Sequence, residues 1–303
     1  MRLVSRQLAA AVPAALLAVF ALVSCRGEAG GEDGRVRVVT SLQLFGDFVQ
    51  EVGGDRVKVT SLVPGDADPH TYEPVPSQVA EIANADLVVL NGLGLEETLR
   101  DVIENNVSGG VPVIEMAAGL PVIDESGDEH QFGNPHLWLN VRYAIHYVES
   151  VRDALTEVDP QSAEVYRANA EAYIAELSAL DQEISAAIES IPPDRRKLVT
   201  FHDAFPYFAE RYGLEVVGVV VESPGREPSP QELAHLADRI GAEGVPVVFI
   251  EPQFAGTILE AVARDTDVQV RTLLTGSFGG RVSSYIEMMR FDAQEIVQGL
   301  RGP

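Results

Sequence analysis

The chain has 303 residues, too many for one minimal core and suited to one large or two modest domains. It is 46% apolar and 22% charged, the balance of a folded and not a disordered chain. Its net charge of −24 repels nucleic acid and anionic membrane surfaces and draws in cations. A single cysteine excludes internal disulfides and zinc–thiolate clusters.

Arg2 and Arg6 precede LAAAVPAALLAVFALV, which is shorter than the ~20 apolar residues of a spanning helix. It ends in Leu22, Val23 and Ser24, directly before Cys25. That order resembles a bacterial lipoprotein leader: residues 1–24 read as a signal peptide and Cys25 as the residue whose sulfur carries the lipid. The following stretch to residue 34, rich in glycine and glutamate, reads as a flexible tether.

From Arg35 short β-rich runs alternate with helical stretches. RVRVVTSL (35–42), RVKVTSLV (56–63), DLVVLNG (86–92) and VPVIEM (111–116) read as strands. LFGDFVQEVGG (44–54) reads as a helix closed by glycine, and SQVAEIANA as one capped by Ser77. The middle of the chain is helical: NVRYAIHYVESVRDALTEV, a break at Asp159-Pro160, then residues 161–190, which as one helix span ~45 Å. A strut between two domains explains that length better than a coiled coil, since no heptad register is sustained. The rhythm then restarts. KLVTFHDAF (197–205), EVVGVVVE (215–222), VPVVFIEPQ (245–253) and VQVRTLL (268–274) read as strands, with three helices among and after them. The expected fold class is α/β: two similar lobes with mostly parallel sheets, joined by one long rigid helix. The boundaries are 25–34 for the tether, 35–160 for the first lobe, 161–191 for the linking helix and 192–303 for the second lobe.

Six histidines carry the chemistry: His70, His130, His136, His146, His202 and His235. His146 and His235 fall inside helices and read as ordinary helix residues. His130 lies in a short acidic loop, DESGDEHQFG, suited to collecting cations weakly. The other three share a context. His70 follows the strand VKVTSLV within PGDADPHTYEP, His136 precedes a helix in GNPHLWLN, and His202 ends the strand KLVTF. In a parallel α/β architecture those positions converge on the cleft beyond the carboxyl ends of the strands. Three neutral imidazoles there suit Zn²⁺ and accommodate Mn²⁺, Fe²⁺ or Cu²⁺. HExxH, GxSxG, P-loop and GxGxxG motifs are all missing from the sequence. A zinc-dependent hydrolase therefore ranks well below simple metal capture.

PGDADPHTYEPVPSQVAEIANADLVVLNGLGLE, NPHLWLN, TFHDAFPYFAERYGLEVVG, EPSPQELAHLADRI, VFIEPQF and SYIEMMRFDA occur in that order along the chain. Together they resemble the metal-specific solute-binding proteins of ABC importers, the zinc/manganese uptake family. The resemblance implies a monomeric, lipid-anchored, extracytoplasmic protein, not an enzyme, which delivers a divalent metal to a membrane permease. It implies His70 and His136 from the first lobe and His202 from the second as metal ligands. Histidine at the last position leans towards zinc over manganese. Manganese or iron as cargo, or a role as surface adhesin, are the alternatives. Many relatives carry an aspartate ligand where TLLTG (272–276) stands here, so Leu273 occupies the expected carboxylate position. Glu251 is the nearest substitute, as ligand or as partner to a histidine, with water an equal candidate.

Overall fold

The computed structural model describes residues 34–123, 132–221, 225, 227–254 and 257–301. The signal segment, Cys25, His130 and all of the tether except Gly34 lie outside the described residues. Among the described residues no helix is long and apolar enough to cross a membrane.

The first half runs β1 (Val36–Thr40), α1 (Gln43–Gly53), β2 (Val57–Ser61), α2 (Pro76–Ala83), β3 (Leu87–Leu90), α3 (Glu97–Asn106) and β4 (Val113–Glu115). Its strands pair in the order β2-β1-β3-β4, all parallel. The inner strands are near-continuous apolar runs because helices cover both faces, and every residue of β3 is buried. Ser77 does not cap α2. The helix begins at Pro76, whose missing N–H is one of the groups a first turn leaves unbonded, and Gln78 Oε1 accepts the Val75 N–H at 2.9 Å.

α4 (Val141–Val158) follows, with Asn140 as its cap, accepting the Arg142 N–H at 3.0 Å. Asp159 ends it, and a 3-10 turn over Pro160–Ser162 delays the long helix, so α5 (Ala163–Glu189) has 27 residues, ~40 Å. The second half is β5 (Lys197–His202), α6 (Pro206–Tyr212), β6 (Glu215–Val221), α7 (Pro230–Glu243), β7 (Val247–Ile250), α8 (Thr257–Thr266), β8 (Gln269–Thr272) and α9 (Tyr285–Arg301). Its sheet repeats the order of the first, β6-β5-β7-β8, again all parallel. α7 carries the capping box read from SPQE, with Ser229 and Glu232 bonding each other's backbone N–H.

The two halves share one apolar core. Phe45 on α1, Trp138 before α4, Leu177 on α5, Phe249 on β7 and Met288 on α9 belong to a single buried cluster. A second cluster lies between the other face of the second sheet and α7 and α8. Each fully buried leucine or phenylalanine in the shared cluster stabilises the assembled halves by about 1.5–3 kcal/mol. α5 is therefore a strut packed along one face against both halves, its other face exposed.

Two carboxylates, one buried and one half-buried, reinforce this joint. Asp181 on α5 is 7% exposed and accepts from Arg211 on α6, with Nε at 2.9 Å, and from the Tyr212 hydroxyl at 3.2 Å. Arg142 on α4 approaches it at 3.5 Å. Asp47 on α1 accepts the Tyr285 N–H of α9 at 2.8 Å and faces the Tyr173 hydroxyl of α5 at 3.5 Å. Burial, with Glu51 and Glu287 nearby, pushes the Asp47 carboxyl up to about 6. The folded protein thus holds this proton more tightly than the unfolded chain, so its stabilising effect is full below pH ~4 and lost as pH rises through 6. Asp47→Asn keeps an acceptor for Tyr285 and carries no charge. It is expected to stabilise the protein at pH 7.5 by about 1–3 kcal/mol and to change little at pH 4, read by denaturant unfolding at the two pH values.

Candidate metal centre

The chain places each histidine by a different local device. His70 sits in the loop after β2, where Asp68 Oδ1 accepts its backbone N–H at 3.0 Å and Asp68 Oδ2 the Thr71 hydroxyl at 3.0 Å. That short Asx turn follows from Asp-Pro-His-Thr. His136 lies just before the 3-10 turn Leu137–Leu139 that leads into α4. The turn ahead of it needs glycine: Gly133 has φ of +80°, and a Cβ there would meet Val122 at 2.2 Å. His202 is the last residue of β5, an inner strand of the second sheet. β5 and β7 are neighbours where the strand order reverses, the crevice in which open parallel sheets bind ligands.

The structure brings His70, His136 and His202 together, each with a ring nitrogen within 4.8 Å of the others'. The His136 and His202 Nε2 atoms are 3.2 Å apart, and both residues are 2% exposed. Partners on the far side of each ring fix the tautomers. Asn134 Oδ1 lies 2.9 Å from His136 Nδ1, and the Asn134 amide nitrogen donates to the Asp203 carbonyl at 2.7 Å, so the oxygen must face the histidine. His136 Nδ1 is therefore the donor. Glu251 Oε1 lies 2.7 Å from His202 Nδ1 and can only accept. Both Nε2 lone pairs are thus turned to the same point, an arrangement that repels unless a cation or proton lies between them.

The rings face a cavity of about 20 Å³, room for roughly one water-sized body. Asp68, Gln253 and Thr275 line it with the three histidines. Burial pushes the Asp68 carboxyl up, as does Glu251, against the opposing pull of the His70 N–H and the Thr71 hydroxyl. Glu251 stands behind His202 and does not line the cavity. Its second oxygen accepts from the Thr275 hydroxyl at 2.7 Å and from Gln253 Nε2 at 3.2 Å. Leu273 is fully buried in the shared core, its N–H bonded to the Ile250 carbonyl. Thr275 and Gly276 of the TLLTG stretch, and Ser277 just after it, reach the cavity instead.

His146 and His235 are not part of the cluster. His146 Nε2 bonds the Ala118 carbonyl at 3.1 Å, and His235 lines a separate surface cavity between β6 and α7. The supporting shell escaped sequence reasoning because its members are distant in the chain. Asn134 pairs with Asp203, the Tyr207 hydroxyl donates to the Asn134 carbonyl at 2.7 Å, and Trp138 Nε1 donates to the Thr275 carbonyl at 2.7 Å. On the other side, Asn91 donates to the Pro135 carbonyl at 2.9 Å and is held by buried Glu96, whose carboxyl burial pushes up. The Asn-Pro and Asn-Gly dipeptides were the available signals, since both mark turns at which backbone groups seek side-chain partners.

A family model described as the periplasmic component A of zinc-uptake complexes matches residues 38–299. The manganese-binding lipoprotein MntA of Halalkalibacterium halodurans is 36% identical over 295 residues, covering 94% of this chain and 97% of its own. The iron-binding protein YfeA of Yersinia pestis is 31% identical, covering 88% and 86%. Among solved structures, the periplasmic zinc-binding protein TroA from Treponema pallidum superposes with a TM-score of 0.83 at 29% identity. That match covers 89% of this chain and all of the other.

Proposed function

This chain belongs to the family of periplasmic components A of zinc-uptake complexes, and from that premise we propose that its cargo is zinc, held by His70, His136 and His202. It is an extracytoplasmic metal-binding component of an ABC importer and not an enzyme. The observation that carries the zinc reading is the donor set, three imidazoles whose ring nitrogens gather within 4.8 Å, two of them with Nε2 atoms 3.2 Å apart. Zinc bound tetrahedrally at about 2.0–2.1 Å spaces its donors by about 3.3 Å. Glu251 and Asn134, by accepting from the far ring nitrogens, orient the imidazoles and raise their basicity. On the same reading, residues 35–160 and 192–303 are the lobes and 161–191 the link, with anchoring through lipid on Cys25.

Manganese is the second reading, favoured by the name of the relative at 36% identity and by the Asp68 carboxylate on the cavity wall. Three imidazoles weigh against it, because manganese prefers oxygen donors. Purification without chelators followed by metal analysis, then competition among Zn²⁺, Mn²⁺ and Fe²⁺, decides the matter. Zinc at one ion per chain, displacing manganese, is the expected result. A protein that prefers manganese overturns the zinc reading, and one that holds no divalent metal overturns the site. Zinc affinity is also expected to fall at least about tenfold from pH 7.5 to 5.5, because protons compete for imidazole near pH ~6.5. A flat profile by competition titration would contradict imidazole ligation.

A further inference from the structure

Three imidazoles fill three of the four positions zinc takes, and the fourth needs an oxygen or nitrogen from the same cavity. Among the polar side chains on its wall, Asp68 and Thr275 are committed. Both Asp68 oxygens hold the loop of His70, one on its backbone N–H and one on the Thr71 hydroxyl. The Thr275 hydroxyl donates to Glu251 and accepts from Gln253 Nε2 at 2.8 Å. Gln253 is different. Its amide nitrogen is spent on Glu251 and Thr275, whereas its Oε1 is buried with no hydrogen-bond partner among the described residues. The amide cannot be turned over, because its oxygen would then face a carboxylate oxygen at 3.2 Å. A buried carbonyl oxygen left without a donor is costly and calls for an ion or a water.

We propose that Gln253 Oε1 is the fourth donor to the metal, completing a set of three imidazole nitrogens and one neutral amide oxygen. The inference rests on the three-histidine reading above and adds its closing ligand. Gln253 follows β7 by three residues and Glu251 by two, so the strand that positions the carboxylate behind His202 also delivers the amide in front. The amide nitrogen, bonded to Glu251 and Thr275, holds the oxygen in place. All ligands are then uncharged, with Glu251 supplying its negative charge one bond behind His202. The second lobe thereby contributes two donors, His202 and Gln253, and the first lobe two, His70 and His136.

The test uses the full folded domain loaded with Co²⁺, a visible stand-in for zinc, and azide as a competing small ligand. With four protein donors the wild-type spectrum is expected to stay unchanged on adding azide. In Gln253→Ala water takes the vacated position, azide displaces it and the visible bands shift. Zinc affinity should fall about 10- to 100-fold in the same variant. Loss of the amide N–H to Glu251 would also weaken zinc, but it would not create an azide response, so the spectrum separates ligation from positioning. Gln253→Leu fills the same space without an oxygen and repeats the result if alanine folds poorly. A wild-type protein that already responds to azide carries water in the fourth position and overturns the proposal. So does an azide response that appears in Asp68→Ala and not in Gln253→Ala. Co²⁺ binding that is indifferent to His202→Ala would instead take down the three-histidine reading itself.

Discussion

His202→Ala and His136→Ala are each expected to weaken zinc binding by more than about 100-fold, with His70→Ala losing the metal as well. The two buried imidazoles contribute Nε2 atoms 3.2 Å apart from opposite halves of the molecule, so removing either leaves no pair to close on the ion. His146→Ala and His235→Ala serve as controls and should bind as wild type does, since neither ring joins the cluster. Glu251→Gln is the graded case. Its amide oxygen still accepts from His202 Nδ1–H but without charge, and a loss of about 10- to 100-fold follows. Metal stoichiometry by mass spectrometry and affinity by chelator competition read all of these. Unchanged stoichiometry in all three histidine variants would remove the site assignment.

Asp181→Ala is expected to destabilise the protein by about 3 kcal/mol, because it leaves Arg211 partly buried without its carboxylate. For a chain of this size that is a fall in Tm of about 5 °C. The same substitution frees the Tyr212 hydroxyl and the approach of Arg142, so α4, α5 and α6 all lose a contact at once. The metal centre is not touched. Zinc in excess should therefore raise the Tm of Asp181→Ala by as much as it raises that of the wild type, through binding to the folded state alone. Differential scanning calorimetry with and without zinc checks both statements. A zinc increment much smaller in the variant would mean that the joint around Asp181 also shapes the site.

The meeting of the three histidines was legible because His70 lies in the loop after a strand, His202 ends a strand and His136 precedes a helix, and parallel sheets gather such positions on one side. The alternation of β-rich and helical runs likewise carried the two-sheet architecture, and the repeated strand order follows from it. What was not legible depends on contacts between remote residues. Nothing near Asn134 in the chain announces Asp203, 69 positions away, as its partner. α3 went unread because its face is thin, with only Leu99 and Ile103 buried and no Ser, Thr or Asn as cap. α6 is seven residues long and begins directly after a strand-like run, so its pattern is too short to show a period. The resemblance alone placed Leu273 where a carboxylate was expected, and it did not show what lines the cavity there. Leu273 turns into the core, and the polar side chains come two residues further on and from the end of β7.

The small cavity beneath the three imidazoles also says what is turned away. A net charge of −24 attracts every cation from a distance without distinction. Room for about one water-sized body, by contrast, admits an ion only after it has shed its water. Mg²⁺ gives up its waters reluctantly, and Ca²⁺ asks for six to eight oxygens at about 2.3–2.6 Å, which three nitrogens in so narrow a space do not supply. Recruitment is thus expected to be generic and rejection local, with Mg²⁺ and Ca²⁺ failing to displace zinc in the same competition titration even in large excess. Enlarging the cavity would cost selectivity against them before it cost affinity for the cargo.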